Sequence, residues 1–392
     1  MISGRGFKIK IRPLEGLVMR NLFCGVYINR KVLITGHTGF KGSWLAFWLS
    51  QMGADVLGYS LEPDTNPNHF SMLDLPIESV IGDIRDVKHL TRVFDRFQPE
   101  IIFHLAAQSL VRRSYDDPAE TFKTNVMGTV NIFEACRRTS SVRAVINVTS
   151  DKCYENREWA WGYRENDPMG GYDPYSASKG CAELVTAAYR NSFFNLAEYD
   201  RKHYTLLASA RAGNVIGGGD WAKDRIMTDI MEAVSQGEKL YIRNPRATRP
   251  WQHVLDPLSG YLLLGQKLLE GKTEFAEAWN FGPNDDGAIP VVQMVKQMQK
   301  IWNKIDYQVE QDKDNPHEAG LLKLDCSKAR MKLNWKGAWD SRTTFAKTAI
   351  WYQSYYENQQ VITEDQLKEY VGDAGKLGLV WVNHRPPAEL VV

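Results

Sequence analysis

Residues Lys31–Trp44 read KVLITGHTGFKGSW. Val32, Leu33 and Ile34 form a short apolar run, the pattern of a buried parallel strand. The run ends at Thr35-Gly36. Glycines recur at Gly39 and Gly42 before an apolar helical pattern from Trp44 to Leu49. Strand, glycine turn and helix give each glycine a task. Gly36 permits the tight turn, Gly39 lets backbone approach a diphosphate, and Gly42 lets the helix pack close to the strand. Thr38 and Phe40 complete the turn, and the first helical N–H groups face the phosphates. The spacing is G-x-x-G-x-x-G, one residue longer in its first interval than G-x-G-x-x-G. Such a turn also joins strands to helices with no ligand, so its weight depends on the strands and helices later in the chain.

A chain of 392 residues is long for one core and suggests two lobes or one elaborated domain. Charged residues make up 24% with a net charge of +1, which argues against a nucleic-acid surface built on bulk charge. Five cysteines without C-x-x-C spacing suggest a reducing compartment and no structural zinc. No apolar run approaches the ~20 residues of a membrane span, so the protein reads as soluble and cytoplasmic. Residues 1–30 read as an amino-terminal extension or a start-site artefact, with Met19 closer to the first strand.

Asp55–Tyr59 reads as a second strand. An acidic residue at its end would hold the ribose hydroxyls of NAD, and an arginine would favour NADP. No arginine follows and Glu62 comes slightly late, which favours NAD. Asp83 and Ile84 end a further strand, with Asp83 placed either to face an adenine edge or to cap a helix. Ile101–His104 runs into Leu105, Ala106 and Ala107, small enough for a flat cofactor to lie against backbone, while Gln108, Ser109 and Arg112 could face a polar substrate. Asn125 lies on an otherwise apolar face, where a polar residue is costly unless hydrogen-bonded, so it either ties helix to strand or supports the active site on the cofactor side.

Val145–Val148 delivers Thr149, Ser150, Asp151 and Lys152 at a strand's carboxyl end, the edge where doubly wound sheets bind ligands. Tyr175 and Lys179 follow at i, i+4, on one face of a helix starting at Pro174. A Y-x-x-x-K pair alone is weak; after a glycine turn and a strand ending in Ser150 it is strong. Lys179 is expected to lower the Tyr175 phenol so that it can take a hydroxyl proton, with Ser150 orienting the same oxygen.

With these pieces in place, the chain resembles the extended short-chain dehydrogenase/reductases that modify nucleotide sugars, from Lys31 to Tyr356. Within them it is most similar to the CDP-glucose 4,6-dehydratases. TGHTGFKGSWL, HLAAQSLVRRSY, VTSDKCYEN, YDPYSASKG, ARAGNVIGGGDWAKDRI, RPWQHVLDP and PHEAGLLKLDCSKA carry the likeness. It implies an α/β fold: a doubly wound parallel sheet of Rossmann type over residues 31–210, holding NAD, with 250–285 returning to it in part. A smaller mixed α/β lobe over 211–358 would hold the sugar nucleotide, and 359–392 would be a tail without functional signal. It also implies a homodimer through helices of the first domain, no metal, and work on the sugars of surface polysaccharide.

Asn214, Arg225 and Arg249 are implied as nucleotide and diphosphate contacts, with Asn280, His317 and Glu318 as further candidates. Asp151 is implied as the acid that protonates the departing C6 oxygen. Related dTDP-glucose enzymes carry glutamate after that aspartate as the C5 base. Here the position is Lys152, which leaves the base open. A 4-epimerase or GDP-mannose 4,6-dehydratase would keep the fold, Tyr175 and Lys179, but an epimerase would not need Asp151-Lys152. A non-catalytic NAD-sensing protein would have no reason to keep Ser150, Tyr175 and Lys179 together.

Overall fold

The computed structural model describes residues 18–242, 244–283, 288–309 and 321–382. Its centre is one seven-stranded sheet. In chain order the strands are β1 (Lys31–Thr35), β2 (Asp55–Ser60), β3 (Glu78–Ile81), β4 (Ile101–His104), β5 (Ala144–Val148), β6 (Leu206–Ala212) and β7 (Ala278–Phe281). Their spatial order is β7-β6-β5-β4-β1-β2-β3, and every pairing is parallel. Helices cover both faces, α2 (Val87–Phe97) and α3 (Gly128–Arg138) among them, so β4, β5 and β6 are buried from end to end, their polar residues His104, Asn147, Ser209 and Arg211 included. Strand order reverses between β1 and β4, which opens a crevice at their carboxyl ends.

Helix α1 (Phe40–Gln51) leaves the glycine turn and is apolar on every side, with Trp44, Leu45, Ala46, Trp48 and Leu49 wholly buried. A helix without a polar face must be covered all round. The sheet covers one side; the two ends of the described chain help to cover the other. Phe23 stacks on Trp381 at 5.3 Å, donates its backbone N–H to the Trp381 carbonyl at 2.8 Å, and both rings contact Trp48. Residues 18–30 are therefore part of the core and not an appendage. The basic start without an extended apolar core makes 1–30 read as an extension or start artefact; residues 18–30 are held by a few large side chains, Met19, Leu22, Phe23 and Tyr27 among them.

Three two-stranded ladders lie outside the main sheet among the described residues: Gln252–His253 with Val215–Ile216, Ala288–Pro290 with Thr248–Pro250, and Tyr307–Val309 with Leu240–Ile242. The chain then returns, because α5 (Leu255–Leu269) is almost wholly buried and leads to β7 on the main sheet. Helix α6 (Ser341–Asn358) and helix α7 (Thr363–Lys376) close the structure. His69 links α7 to the glycine turn's helix, since its ring bonds Ser43 at 2.8 Å and Thr363 at 2.8 Å.

Candidate active site

The glycine turn has the shape its spacing required. Gly36 holds φ +79°, and a Cβ there would stand 2.8 Å from the Ala106 nitrogen; at Gly42 it would stand 2.0 Å from the Gly36 carbonyl. Gly39 is different: a Cβ would meet only the Gly36 carbonyl, at 3.4 Å, so its other side is open. Gly39 caps α1 without a side-chain bond, and the first-turn N–H groups have no intrahelical acceptor. Those donors and the open side fit a diphosphate. Thr38 ties this turn to the end of β2, donating to the Leu61 carbonyl at 2.9 Å and meeting the Ser60 hydroxyl at 2.8 Å. The residue ending β2 is Ser60, and Glu62 lies exposed beyond it. Among the neighbouring candidates, Ile84 is buried, and Leu105, Ala106 and Ala107 follow β4 beside Gly36.

Asp83 is claimed by a neighbour. Arg85 grips its carboxylate through Nε and Nη2, at 2.9 and 2.6 Å, and holds it below the usual carboxylate range against the opposing pull of burial. The helix cap considered for Asp83 belongs to Asp86, which accepts from the His89 N–H. Asn125 satisfies its buried amide fully: Oδ1 accepts from the Gln108 N–H at 2.8 Å, and Nδ2 donates to the Gln108 carbonyl and the Ser178 hydroxyl. It thereby joins the loop after β4 to helix α4 (Pro174–Ser192).

Helix α4 starts with Asp173 as cap, accepting from Ser176 N, and Pro174 in the first turn. It carries Tyr175 and Lys179 buried against the end of β5. Ser150 hydrogen-bonds the Tyr175 phenol and also donates to Asp151 Oδ1 at 3.0 Å, while the Lys152 N–H donates to Ser150 Oγ at 3.2 Å. Asp151 is 4% exposed, and its Oδ2 has no hydrogen-bond partner among the described residues. Burial pushes its carboxyl upward, more than Lys152, Ser150, Lys41 and Arg249 pull it back.

Burial drives the Tyr175 phenol up to about 12, and the influences lowering it are the Ser150 bond and the Arg225 charge. Lys179 is not among the leading ones; burial pushes its own ammonium down to about 8, while Glu183 acts to raise it. Spacing puts Tyr175 and Lys179 on one face, but Lys179 lies a turn deeper, towards Glu183.

The remaining candidates divide. Arg225 is half-buried, bonded to Asp220 at 2.6 Å and reaching Ser109 Oγ at 3.4 Å, so it borders Tyr175. Arg249 faces Asp151 electrostatically, and Asn214 lies part-exposed between β6 and the first small ladder. Arg112 is exposed and pairs with Asp224 at 2.8 Å. Gln108 and Asn280 do not present free groups to a ligand. The Gln108 amide bonds Thr121 and both ends of the Leu110 peptide. Asn280 is wholly buried and spends its side chain on Tyr154, the Tyr163 carbonyl and the Asp325 carbonyl. His317 and Glu318 lie outside the described residues. No cluster of metal-ligating side chains occurs among the described residues.

Lys41 was not singled out by its sequence position. It is half-buried, and desolvation together with the charges of Arg225 and Lys179 pushes it down to about 8, with Asp151 and Asp220 acting oppositely. A lysine inside a glycine motif reads as a turn residue; only the direction of α1's first turn brings it beside Asp151.

Similarity to known proteins converges on this site. The chain is 51% identical to a CDP-glucose 4,6-dehydratase of Salmonella typhimurium, over 88% of this chain and 96% of that protein. An epimerase of Methanothermobacter thermautotrophicus superposes with TM-score 0.72 at 23% identity, covering 88% of this chain and 97% of the other. A dTDP-glucose 4,6-dehydratase of Bacillus anthracis, solved in complex with NAD, gives TM-score 0.67 at 20% identity, over 84% and 98%. The sequence model described as GDP-mannose 4,6 dehydratase matches residues 33–348, from the first strand to α6. The parallel sheet, the glycine turn and the Ser150–Tyr175–Lys179 arrangement thus fall inside one match, and the chain belongs to the GDP-mannose 4,6-dehydratase family, within the extended short-chain dehydrogenase/reductases.

Proposed function

We propose that this protein is a CDP-glucose 4,6-dehydratase that works with NAD, turning CDP-D-glucose into CDP-4-keto-6-deoxy-D-glucose and water. The observation that carries the reading is the 51% identity with the Salmonella enzyme, over 88% of the chain. When bound, NAD supplies the hydride acceptor for C4 and the donor for C6.

The chain's own residues handle protons and position. Tyr175 Oη takes the C4 hydroxyl proton, helped by the Ser150 bond and the Arg225 charge, the two influences that bring its affinity for a proton down. The resulting ketone acidifies C5. Asp151, whose burial favours the neutral acid, presents Oδ2 without a hydrogen-bond partner among the described residues and gives its proton to the departing C6 oxygen. Lys152 stands next to it and serves the C5 step, as the base or as the group that stabilises the enolate. Arg225, Arg249 and Ser109 line the cleft towards the diphosphate, where charge-assisted bonds to phosphate oxygen suit arginine. Arg112 and Asn214 border it. A 4-epimerase would use Tyr175 and Lys179 but has no task for Asp151 and Lys152.

The product suits an early step towards deoxy sugars of a surface polysaccharide, carried out in the cytoplasm. No described helix is long and apolar enough to cross a membrane. A homodimer is supported by apolar side chains left open on neighbouring helices: Phe122 and Met127 are 37% and 52% exposed, and Leu184 on α4 is 60% exposed. Sedimentation should give twice the chain mass, and Leu184→Glu should reduce it.

The decisive experiment is incubation with CDP-, dTDP-, UDP- and GDP-linked hexoses and NAD. Only CDP-glucose should give the 4-keto product efficiently. Substrate deuterated at C4 should yield product deuterated at C6 with no net NADH; stoichiometric NADH release would indicate a simple dehydrogenase.

A further inference from the structure

Glu183 follows Tyr175 and Lys179 on α4 at the same four-residue spacing, and it is the most heavily engaged carboxylate near the site. It is 4% exposed. Oε1 accepts from Thr149, the residue before Ser150; Oε2 accepts from Ser209 Oγ at 2.7 Å and Arg211 Nη2 at 2.8 Å, both on β6. One turn on, Thr186 receives the Asn147 amide of β5 at 2.8 Å. Arg211 continues the network, donating to Tyr154 Oη at 2.6 Å and to the Glu165 carbonyl at 3.0 Å.

We propose that Glu183 is a positioning residue for the reaction: its carboxylate, held by β6 and by the residue just past β5, fixes α4 against the end of β5 so that Ser150, Tyr175 and Lys179 converge. This rests on the assignment of Tyr175 and Lys179 as the reacting pair. A carboxylate used only for packing would be a costly choice in a dry interior, since a well-packed apolar residue does as well. This one bonds the residue adjoining Ser150, and its charge is the leading influence holding a proton on Lys179.

The charges around the pair are few. Lys179 is faced by Glu183 on its own helix and Cys153 after β5, and its charge reaches His104 on β4 and Lys41 on α1. Glu183 is faced by Arg211 on β6, by Cys153, and by Arg190 further along α4.

The test uses the full chain with NAD and CDP-glucose. Glu183→Gln alone strands a buried guanidinium, so it is paired with Arg211→Gln, and Glu183→Asp serves as the conservative variant. The double variant should fold, shown by circular dichroism and thermal melting. Its kcat should fall roughly 10- to 100-fold with KM little changed, as expected when reacting groups are misaligned. The alkaline limb of its kcat profile should move about one pH unit towards acid, because Lys179 loses the charge that keeps it protonated. Glu183→Asp should return the limb towards the wild-type position. A folded double variant with wild-type kcat and limb overturns the proposal. So does failure of both variants to fold, which would make Glu183 a folding residue alone. Tyr175→Phe is run beside them: if it still turns over, the reading of the site has failed, whereas an inactive Tyr175→Phe with unaffected Glu183 variants removes only this inference.

Discussion

Burial pushes Asp151 and Tyr175 the same way, with opposite value for the proposed reaction. A raised carboxyl is a ready proton donor, whereas a phenol near 12 is a reluctant base. The phenol therefore depends on what touches it, and Tyr175→Phe should cost ~10²–10⁴-fold in 4-keto product formation while circular dichroism stays unchanged. Product within threefold of wild type would contradict the assignment. Lys152→Met should permit the first hydride transfer, seen as reduced-nicotinamide absorbance on the protein, yet stall before C5 exchange. If C5 deuterium still washes out at the wild-type rate, Lys152 is only a charged neighbour of Asp151. Tyr175, Lys179, Ser150 and Asp151 could be read from the sequence because each sits at a fixed offset from a strand end or cap. Lys41 and Glu183 could not. Their importance comes from side chains meeting across elements, Lys41 with Asp151 and Glu183 with Thr149 and Ser209, which no local spacing encodes.

At the scale of elements, the strand–turn–helix unit was the most legible part. Its demands are local: a positive φ at Gly36 and no room for a methyl at Gly42. Gly42→Ala would place Cβ 2.0 Å from the Gly36 carbonyl, so α1 must move away from the turn. The expected result is a lower melting temperature and weaker NAD binding by calorimetry; unchanged binding would show that α1's distance from β1 is not critical. The loop after β4 was less legible. Gln108 reads from the sequence as facing a polar substrate, whereas Asn125 reads as either a tie between helix and strand or a support for the active site. In the fold Asn125 sits in a π-helical turn, Lys123–Met127, and spends its amide on Gln108 and Ser178. A π turn depends on such tertiary bonds and has no reliable sequence signature.

Across the whole molecule, the two ends and α5 were least legible, because their contacts connect distant parts of the chain. Asp256 on α5 is wholly enclosed, accepting from the Ala338 N–H at 2.7 Å and the Tyr370 hydroxyl of α7 at 2.7 Å. Burial raises its carboxyl from 3.8 to about 7. The folded state thus keeps a proton that the unfolded chain releases above pH ~4, so this stabilisation is complete below pH 4 and lost as pH rises through 7. Wild-type melting temperature should decline between pH 5 and 8 more than that of Asp256→Asn, which cannot ionise; parallel curves would show that Asp256 is ionised throughout. Phe23→Ala should cost about 3–5 kcal/mol by urea unfolding, as for other fully buried phenylalanines. A loss below 1 kcal/mol would mean that Trp381 and Trp48 close over the gap.

The bond between Phe23 and Trp381 also sets a timetable for birth. Phe23 leaves the ribosome long before Trp381, its partner, is made. At about 5–20 residues per second, the wait lasts on the order of tens of seconds. Through that interval Trp48 on α1 lacks the Trp381 ring that packs on it in the finished fold. The nascent chain therefore carries an open tryptophan face, the kind of surface that chaperones grip, until Trp381 has been made. Chains arrested before residue 381 should be cut by protease within residues 18–30, and released full-length chains should resist.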